Sequence, residues 1–293
     1  MTPTISAIIV NYNAGSLLGR CVASLLACPQ AIEIIIVDNA SSDGSLNGLD
    51  DSPQVILVRN SSNLGFAAAC NIGMKASTAP YLLFLNPDCA LEGDALSPLL
   101  TDLQRNNQVG MVGGLLLNSD GTEQAGGRRA VPTPWRSFVR AFGLHRLADR
   151  WPNMFYDFHL HKQALPATSA EVEAISGACM LVKRTAIDDV GLWDEGYFLH
   201  CEDLDWCMRF RQKGWKILFV PASRIHHALG ACSRSRRVFV EWHKHKGMLR
   251  FYRKFFSQEY SGVIMWLVTA GVWLRFVMVT ASIKVRSVFT KNG

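Results

Sequence analysis

The first half of the chain is built from apolar runs too short to be helices, and each gives way to Asn or Asp. Ile5–Val10, Ile32–Val37, Gln54–Arg59 and Tyr81–Leu85 are four such runs. Ser16–Leu26 has helical spacing after the first, and small residues mark a helix near Phe66–Ala76 after the third. Strands that read as continuous β-branched runs are buried on both faces, as in a parallel sheet covered by helices. The alternation therefore predicts the α/β class, with a mostly parallel sheet flanked by helices. A helix over Glu92–Arg105 and a strand over Val109–Leu117 continue it, closed by the turn residues Asn118-Ser119-Asp120-Gly121.

Residues 128–170 break this rhythm. They are rich in Arg, Trp, Pro and His and have no clear period, which in a compact domain points to a functional or mobile insertion. The pattern resumes with a strand over Glu171–Val182, interrupted by Gly177-Ala178-Cys179. A helix over Leu204–Lys213 and a strand over Trp215–Val220, ended by Pro221, follow. These elements are expected to form one domain over residues 1–233.

Residues 234–293 differ. From Arg234 onward there are 12 basic and 2 acidic residues, which leaves the first 233 residues at −4 within an overall charge of +6. A basic segment of this kind implies an anionic partner, either a membrane surface or a nucleic acid. Val238–Phe256 reads as a basic, aromatic helix, and Gly262–Ile283 holds one charge, Arg275, in 22 residues. At 1.5 Å per residue that stretch reaches about 33 Å, enough to cross a bilayer. Three arrangements suit it. It can lie in the membrane interface with Trp266 and Trp273, span the bilayer at the cost of Arg275, or pack on the domain as a hairpin. The apolar stretch favours an anionic membrane surface, and no nucleic-acid partner is expected.

Eight cysteines form no CxxC pair and sit among apolar neighbours, as buried free thiols of a reducing compartment do. No charged-then-apolar leader opens the chain. The expected location is cytoplasmic, peripheral to an inner membrane or soluble. With 49% apolar and 18% charged residues, a disordered chain is excluded.

In open α/β sheets, ligands lie beyond the carboxyl ends of the strands. Those ends carry Asn11-Tyr12-Asn13, Asp38-Asn39, Asn63-Leu64-Gly65 and Asn86-Pro87-Asp88. Each alone is a plain turn, since Asn, Asp and Gly dominate turns for local reasons. Together on one sheet edge they describe a polar site able to read a base and ribose and to hold a metal. Asp88 suits Mg²⁺ or Mn²⁺, with a diphosphate supplying further oxygens. His200-Cys201-Glu202-Asp203-Leu204-Asp205 is a second cluster. Its carboxylates either favour a helix N-terminus or supply a general base. His226 and His227 could complete a metal shell or hold a diphosphate. Motifs of P-loop enzymes, dinucleotide-binding proteins, zinc proteases and α/β-hydrolases are absent.

Ile8–Asn13, Val37–Gly44, Asn63–Phe66, Leu85–Asp88, Ser176–Met180, Glu202-Asp203 and His226-His227 resemble glycosyltransferase family 2, in the family's order over about residues 5–232. Among its members, the segments around Asp88, Gly177 and Asp203 look most like those of bacterial rhamnosyltransferases using dTDP-L-rhamnose. The resemblance implies a GT-A fold and an inverting single displacement onto a saccharide or lipid-linked glycan such as lipopolysaccharide, O-antigen or cell wall. It implies Asp203 as the base, Glu202 orienting it or the acceptor, and Asp38 on the nucleotide base. Asp88 matches the last residue of the family's metal-binding DxD motif, and Gly177 and Ala178 the loop under the donor sugar. Asn86 departs from DxD, replacing its first carboxylate. A UDP-sugar donor such as UDP-galactofuranose, or a non-catalytic nucleotide-sugar module, are the alternatives.

Overall fold

The computed structural model describes residues 4–49, 52–148, 150–151, 154–155, 158–228, 230 and 236–289. The N-terminal half follows the alternation. Strand β1 (Ile5–Asn11), helix α1 (Ser16–Leu26), β2 (Ile32–Asp38), β3 (Val55–Arg59), α2 (Phe66–Lys75) and β4 (Tyr81–Leu85) succeed one another. β1 pairs in parallel with β2 on one side and β4 on the other, and β2 pairs in parallel with β3. Every residue of β1 is buried, as a strand covered on both faces must be. Chain order reverses between β1 and β4, the place where open α/β sheets bind their ligands.

The second half differs from the sequence reading in three places. The helix expected from Glu92 starts later, as α3 (Leu96–Arg105), because a short strand β5 (Cys89–Leu91) comes first. After β6 (Val109–Leu117), the single strand expected over Glu171–Val182 is three: β8 (Ala170–Glu171), β9 (Ala174–Ile175) and β10 (Cys179–Lys183). The strand expected to stop at Pro221 runs on as β11 (Lys216–His227). A register shift between Val220 and Arg224 carries Pro221 in a bulge, where its missing N–H costs no ladder bond.

The main sheet has the order β3-β2-β1-β4-β10-β6-β11-β5, with β8 paired to β11. It is mixed. β6 and β11 are parallel, while β10 runs antiparallel to both β4 and β6. A two-stranded ribbon joins β7 (Arg128–Arg129) to β9. Phe84 of β4 meets Trp193 and Trp206 edge-on, and Trp206 also meets Phe210. These rings clamp helix α6 (Glu202–Gln212) on the sheet after α5 (Arg184–Val190).

The residues divide into two compact units. One holds the sheet and its helices. The other gathers Pro132–Phe158, Tyr197–Glu202 and the C-terminal helices α7 (Arg237–Phe256) and α8 (Gly262–Phe289). The boundary expected at 233–234 lies outside the described residues, and the second unit draws in the irregular insertion as well. It contains α4 (Pro134–Ala141). Trp242 of α7 packs on Trp273 and Phe276 of α8. Only 6% of the most apolar window of Gly262–Val285 is buried, so most of the apolar surface of α8 is uncovered among the described residues.

Candidate active site

At the ends of β1 and β2 a closed polar network forms. Asn11 Nδ2 donates to Asp38 Oδ1 at 2.8 Å, Ser41 Oγ at 3.0 Å and Ser45 Oγ at 2.8 Å. Asp38 accepts from the Ser41 backbone N–H at 3.0 Å and the Ser41 hydroxyl at 2.6 Å. Asn39 donates to the Gly65 carbonyl at 3.2 Å and accepts from Asn60 at 2.9 Å. Asn13 adopts a left-handed φ of 53° and accepts from the Ser42 N–H. Asn63 accepts from the Gly65 N–H at 2.9 Å, a local turn that opens α2. Asn11, Asp38, Asn39 and Gly65 are buried. The loop from Asp38 to Ser45 is thereby fixed as a rigid polar rim.

The end of β4 meets the end of β11. Asn86 donates its backbone N–H to the Ala178 carbonyl at 2.9 Å, which ties the Asn-Pro-Asp turn to the loop before β10. Asp88 Oδ1 lies 3.2 Å from His227 Nε2, and both side chains are almost fully buried. His227 Nδ1 lies 2.5 Å from Gln124 Oε1, whose amide nitrogen donates to the His227 carbonyl at 3.2 Å. With the Gln124 oxygen accepting, Nδ1 carries a proton, and a neutral imidazole then turns its Nε2 lone pair toward the carboxylate. A lone pair and a carboxylate aimed at one point suit a divalent cation. Neighbouring ligands of an octahedral ion at roughly 2.1 Å are themselves about 3 Å apart. The residues therefore fit Mg²⁺ or Mn²⁺ through Asp88 and His227, with Gln124 fixing the imidazole. Cys89 is the third member of this cluster. Burial, and then the Asp88 charge, push its thiol well above the ordinary range, and its soft sulfur matches a hard ion less well than oxygen does.

Asp203 stands in the first turn of α6. Its Oδ2 accepts from the Gly177 backbone N–H at 3.1 Å and from the Arg129 guanidinium, and its Oδ1 from the Leu204 N–H at 2.8 Å. A Cβ on Gly177 would come 3.3 Å from Asp203 Cβ, so glycine there permits the close approach. Two left-handed residues, His200 and Cys201 at φ 68° and 71°, precede the helix. Such strain is costly and persists where the surroundings over-determine it. The carboxylate is thus held by its own helix N-terminus and by donors from two other segments, around Arg129 and Gly177.

The structure separates some residues that the sequence grouped. His226 lies on the other face of β11 from His227 and bonds Glu92 Oε2 at 2.8 Å in the open. Successive strand residues point to opposite faces, so His226 is not beside Asp88 and leaves the candidate metal set. Asp205 is fully buried against Arg209 at 2.7 Å, an i,i+4 pair inside α6. Glu202 is buried beside Asp203 in sequence. Arg129 and Gln124 had no signal of their own. Their partners are 74 and 103 residues away, and neither sits in a motif.

Comparison with known proteins gives the family and the fold. The family described as Glycosyl transferase family 2 matches residues 6–191. An N-acetylglucosaminyl-diphospho-decaprenol L-rhamnosyltransferase of Mycobacterium tuberculosis is 28% identical over 300 residues, covering 97% of this chain and 95% of the relative. The rhamnosyltransferase WbbL of Escherichia coli K12 is 26% identical over 177 residues, 56% of this chain and 58% of its own. GalNAc-T7, solved with UDP, GalNAc and Mn²⁺, superposes with a TM-score of 0.59 at 23% identity, over 78% of this chain and 43% of its own. A mannosyltransferase from Pyrobaculum calidifontis, solved with GDP-Man and Mn²⁺, gives 0.59 at 15% identity over 94% and 71%. This chain spans less than half of the GalNAc-T7 chain, and the two solved structures share its fold. The match over residues 6–191, together with the strand-end site, makes the chain a member of glycosyltransferase family 2.

Proposed function

We propose that the protein is an inverting glycosyltransferase that moves L-rhamnose from dTDP-L-rhamnose to a hydroxyl of a saccharide or lipid-linked glycan. One observation carries the reading: a carboxylate bonded to the Gly177 loop, Asp203, and a carboxylate–imidazole pair, Asp88–His227, stand within one unit at the carboxyl edge of one sheet. The M. tuberculosis relative, matched along nearly its whole length, supports rhamnose and a lipid-linked acceptor.

Asp38 and Asn11 hold the rim against the nucleoside, with Asn39, Asn63 and Gly65 shaping its wall. Gly177 and Ala178 form the floor under the sugar, tied to Asn86. Asp88 and His227 would hold a divalent metal, which would supply charge neutralisation of the departing diphosphate. Asp203 takes the proton of the acceptor hydroxyl as that oxygen bonds the anomeric carbon. The carbon–oxygen bond to the diphosphate breaks on the opposite face, so configuration inverts and no covalent enzyme intermediate forms. General-base assistance of this kind is worth roughly 10²–10⁴ in rate. Glu202 orients Asp203 or the acceptor. The exposed, apolar α8 and the basic α7 bring the enzyme to an anionic membrane surface, at the cytoplasmic side of an inner membrane.

A donor screen tests the reading. Melting temperature and hydrolysis are followed with dTDP-rhamnose, UDP-galactose, UDP-galactofuranose, UDP-N-acetylglucosamine and GDP-mannose, each with and without Mg²⁺ or Mn²⁺. A ligand of the folded state raises the melting point by mass action. Selective stabilisation by dTDP-rhamnose is expected. Selective response to a UDP-sugar overturns the donor, and silence toward all donors by a folded protein favours a non-catalytic module.

A further inference from the structure

The insertion that breaks the sequence pattern carries the least expected surface of the protein. Helix α4 is capped by Thr133, whose hydroxyl accepts from the Arg136 N–H at 3.1 Å, and Pro134 opens its first turn. Its inner face is ordinary. Val139 is fully buried, and Ser137 bonds the Tyr252 hydroxyl of α7 at 2.7 Å. Its outer face is aromatic where a soluble helix is polar. Trp135 is 44% exposed, Phe138 45% and Phe142 69%, spaced i, i+3 and i+7. Beyond the following turn, Trp151 and Met154 are exposed to 48% and 55%.

These side chains are not loose. Trp135 stacks on Phe138 at 5.6 Å, and Phe138 meets Phe142 at 4.5 Å. Phe155 bridges Trp135 and Trp151 at 6.5 and 6.1 Å. The Trp135 indole N–H donates to the Met154 carbonyl at 2.8 Å. An ordered apolar patch that faces outward marks a contact surface. Arginine is interleaved with it: residues 132–158 hold four Arg and two Asp, and Arg150 lies 5.4 Å over the Trp151 ring.

We infer that the outward rings Trp135, Phe138 and Phe142, with Trp151 and Met154, insert into the headgroup region of an anionic lipid bilayer, as a second membrane contact in addition to α8. Three features on the molecule point to lipid. Trp and Phe flanked by Arg match the interface, where rings sit at headgroup depth and guanidinium groups meet phosphates. The same compact unit contains α8, a helix long and apolar enough to cross a membrane. It also contains α7, whose Arg237, Lys244, Lys246, Arg250, Arg253 and Lys254 face a single acid, Glu241. The inference rests on the bilayer part of the proposed function and not on the donor sugar.

The test uses the full chain and vesicles of phosphatidylcholine with one-third phosphatidylglycerol, brominated either high or low on the acyl chains. The emission owed to Trp135 and Trp151 is the difference between wild type and W135F/W151F. That owed to α8 is the difference between wild type and W266F/W273F. Lipid brominated near the headgroups is expected to quench the Trp135/Trp151 emission by half or more, and deep bromines much less. Phe142→Ser should weaken vesicle binding about tenfold, the scale of one lost aromatic contact. Arg150→Gln should weaken it about fivefold at low salt. If only the α8 emission is quenched, the patch is no membrane contact while the bilayer reading survives; if neither is quenched, both fail. A Trp135/Trp151 emission that shifts without lipid, as the mass doubles with concentration, assigns the patch to a second copy and overturns the inference.

Discussion

The two ends of the sheet edge are built by opposite means. At β1 and β2, Asn11 and Asp38 close a network with Ser41 and Ser45, and four of its bonds link Asp38, Asn11 and residues at most 34 positions apart. At β4, β10 and β11, each charged group has a partner brought from afar: Asp88 from His227, His227 from Gln124, Asp203 from Arg129. The first is a dense hydrogen-bonded frame in which Asn11 Nδ2 and the Asp38 carboxylate each hold several partners. The second keeps charge poised against one cation or one imidazole. A frame of the first kind suits recognition of a fixed ligand, and groups of the second kind suit a reaction in which charge and protons move.

The sharpest break in that comparison is at Asp203. Asp203→Asn keeps the shape and removes the base, and turnover should fall roughly 10²–10⁴-fold while the donor still raises the melting temperature. Wild-type turnover in this variant would remove Asp203 from the chemistry. Arg129→Gln should lower kcat by less and leave donor affinity unchanged, because the Arg129 guanidinium bonds the Asp203 carboxylate. A loss carried by donor affinity instead would place Arg129 on the donor.

The pair at β11 is next. His227→Ala should cost about 10–100-fold in metal-supported donor affinity, the scale of losing a ligand or its orienting partner. Gln124→Ala should reproduce part of that loss, although nothing in the sequence singles out Gln124. Titrations with and without Mn²⁺ separate the two effects. Equal loss with and without metal would mean that His227 holds the diphosphate directly.

What the sequence disclosed follows the same division. β1, α1, β2 and the Asn and Asp at their ends are legible, because a covered parallel strand is a continuous apolar run and turn chemistry is local. β11 was cut short at Pro221, since proline argues against a continuing strand unless a bulge absorbs it. That bulge carries β11 on to His227. His226 and His227 read as one pair, because strand alternation acts only once the strand is known to extend that far. Arg129 was invisible for a different reason. Its two-residue strand β7 has no period to detect, and its partner is 74 residues away.

The frame itself can be tested by stability. Asn11 is fully buried, and its amide serves three acceptors. Asn11→Ala should destabilise by about 2–3 kcal/mol, the cost of leaving buried acceptors unmet. Urea unfolding measures it. A change below about 0.5 kcal/mol, within the usual range for surface substitutions, would show that the network relaxes without its centre.

The smallest effect separates the two faces of β11. Glu92 bonds Arg224 at 3.0 Å and His226 at 2.8 Å, with all three side chains about half exposed. The Arg224 hydrogen bond chiefly, with His226 adding, holds the Glu92 carboxyl below its ordinary 4.5. A carboxyl depressed in the folded state contributes stability that is present above its unfolded value and is lost as pH falls through the folded one. Glu92→Gln should therefore melt slightly below wild type at pH 7, and the gap should close under pH 4. A gap that widens in acid would reverse the sign of the interaction. His226→Ala should change metal-supported donor affinity less than twofold, against the large loss at His227. Equal losses at the two neighbours would mean that the strand presents both imidazoles to one ligand, which the alternation of β11 forbids.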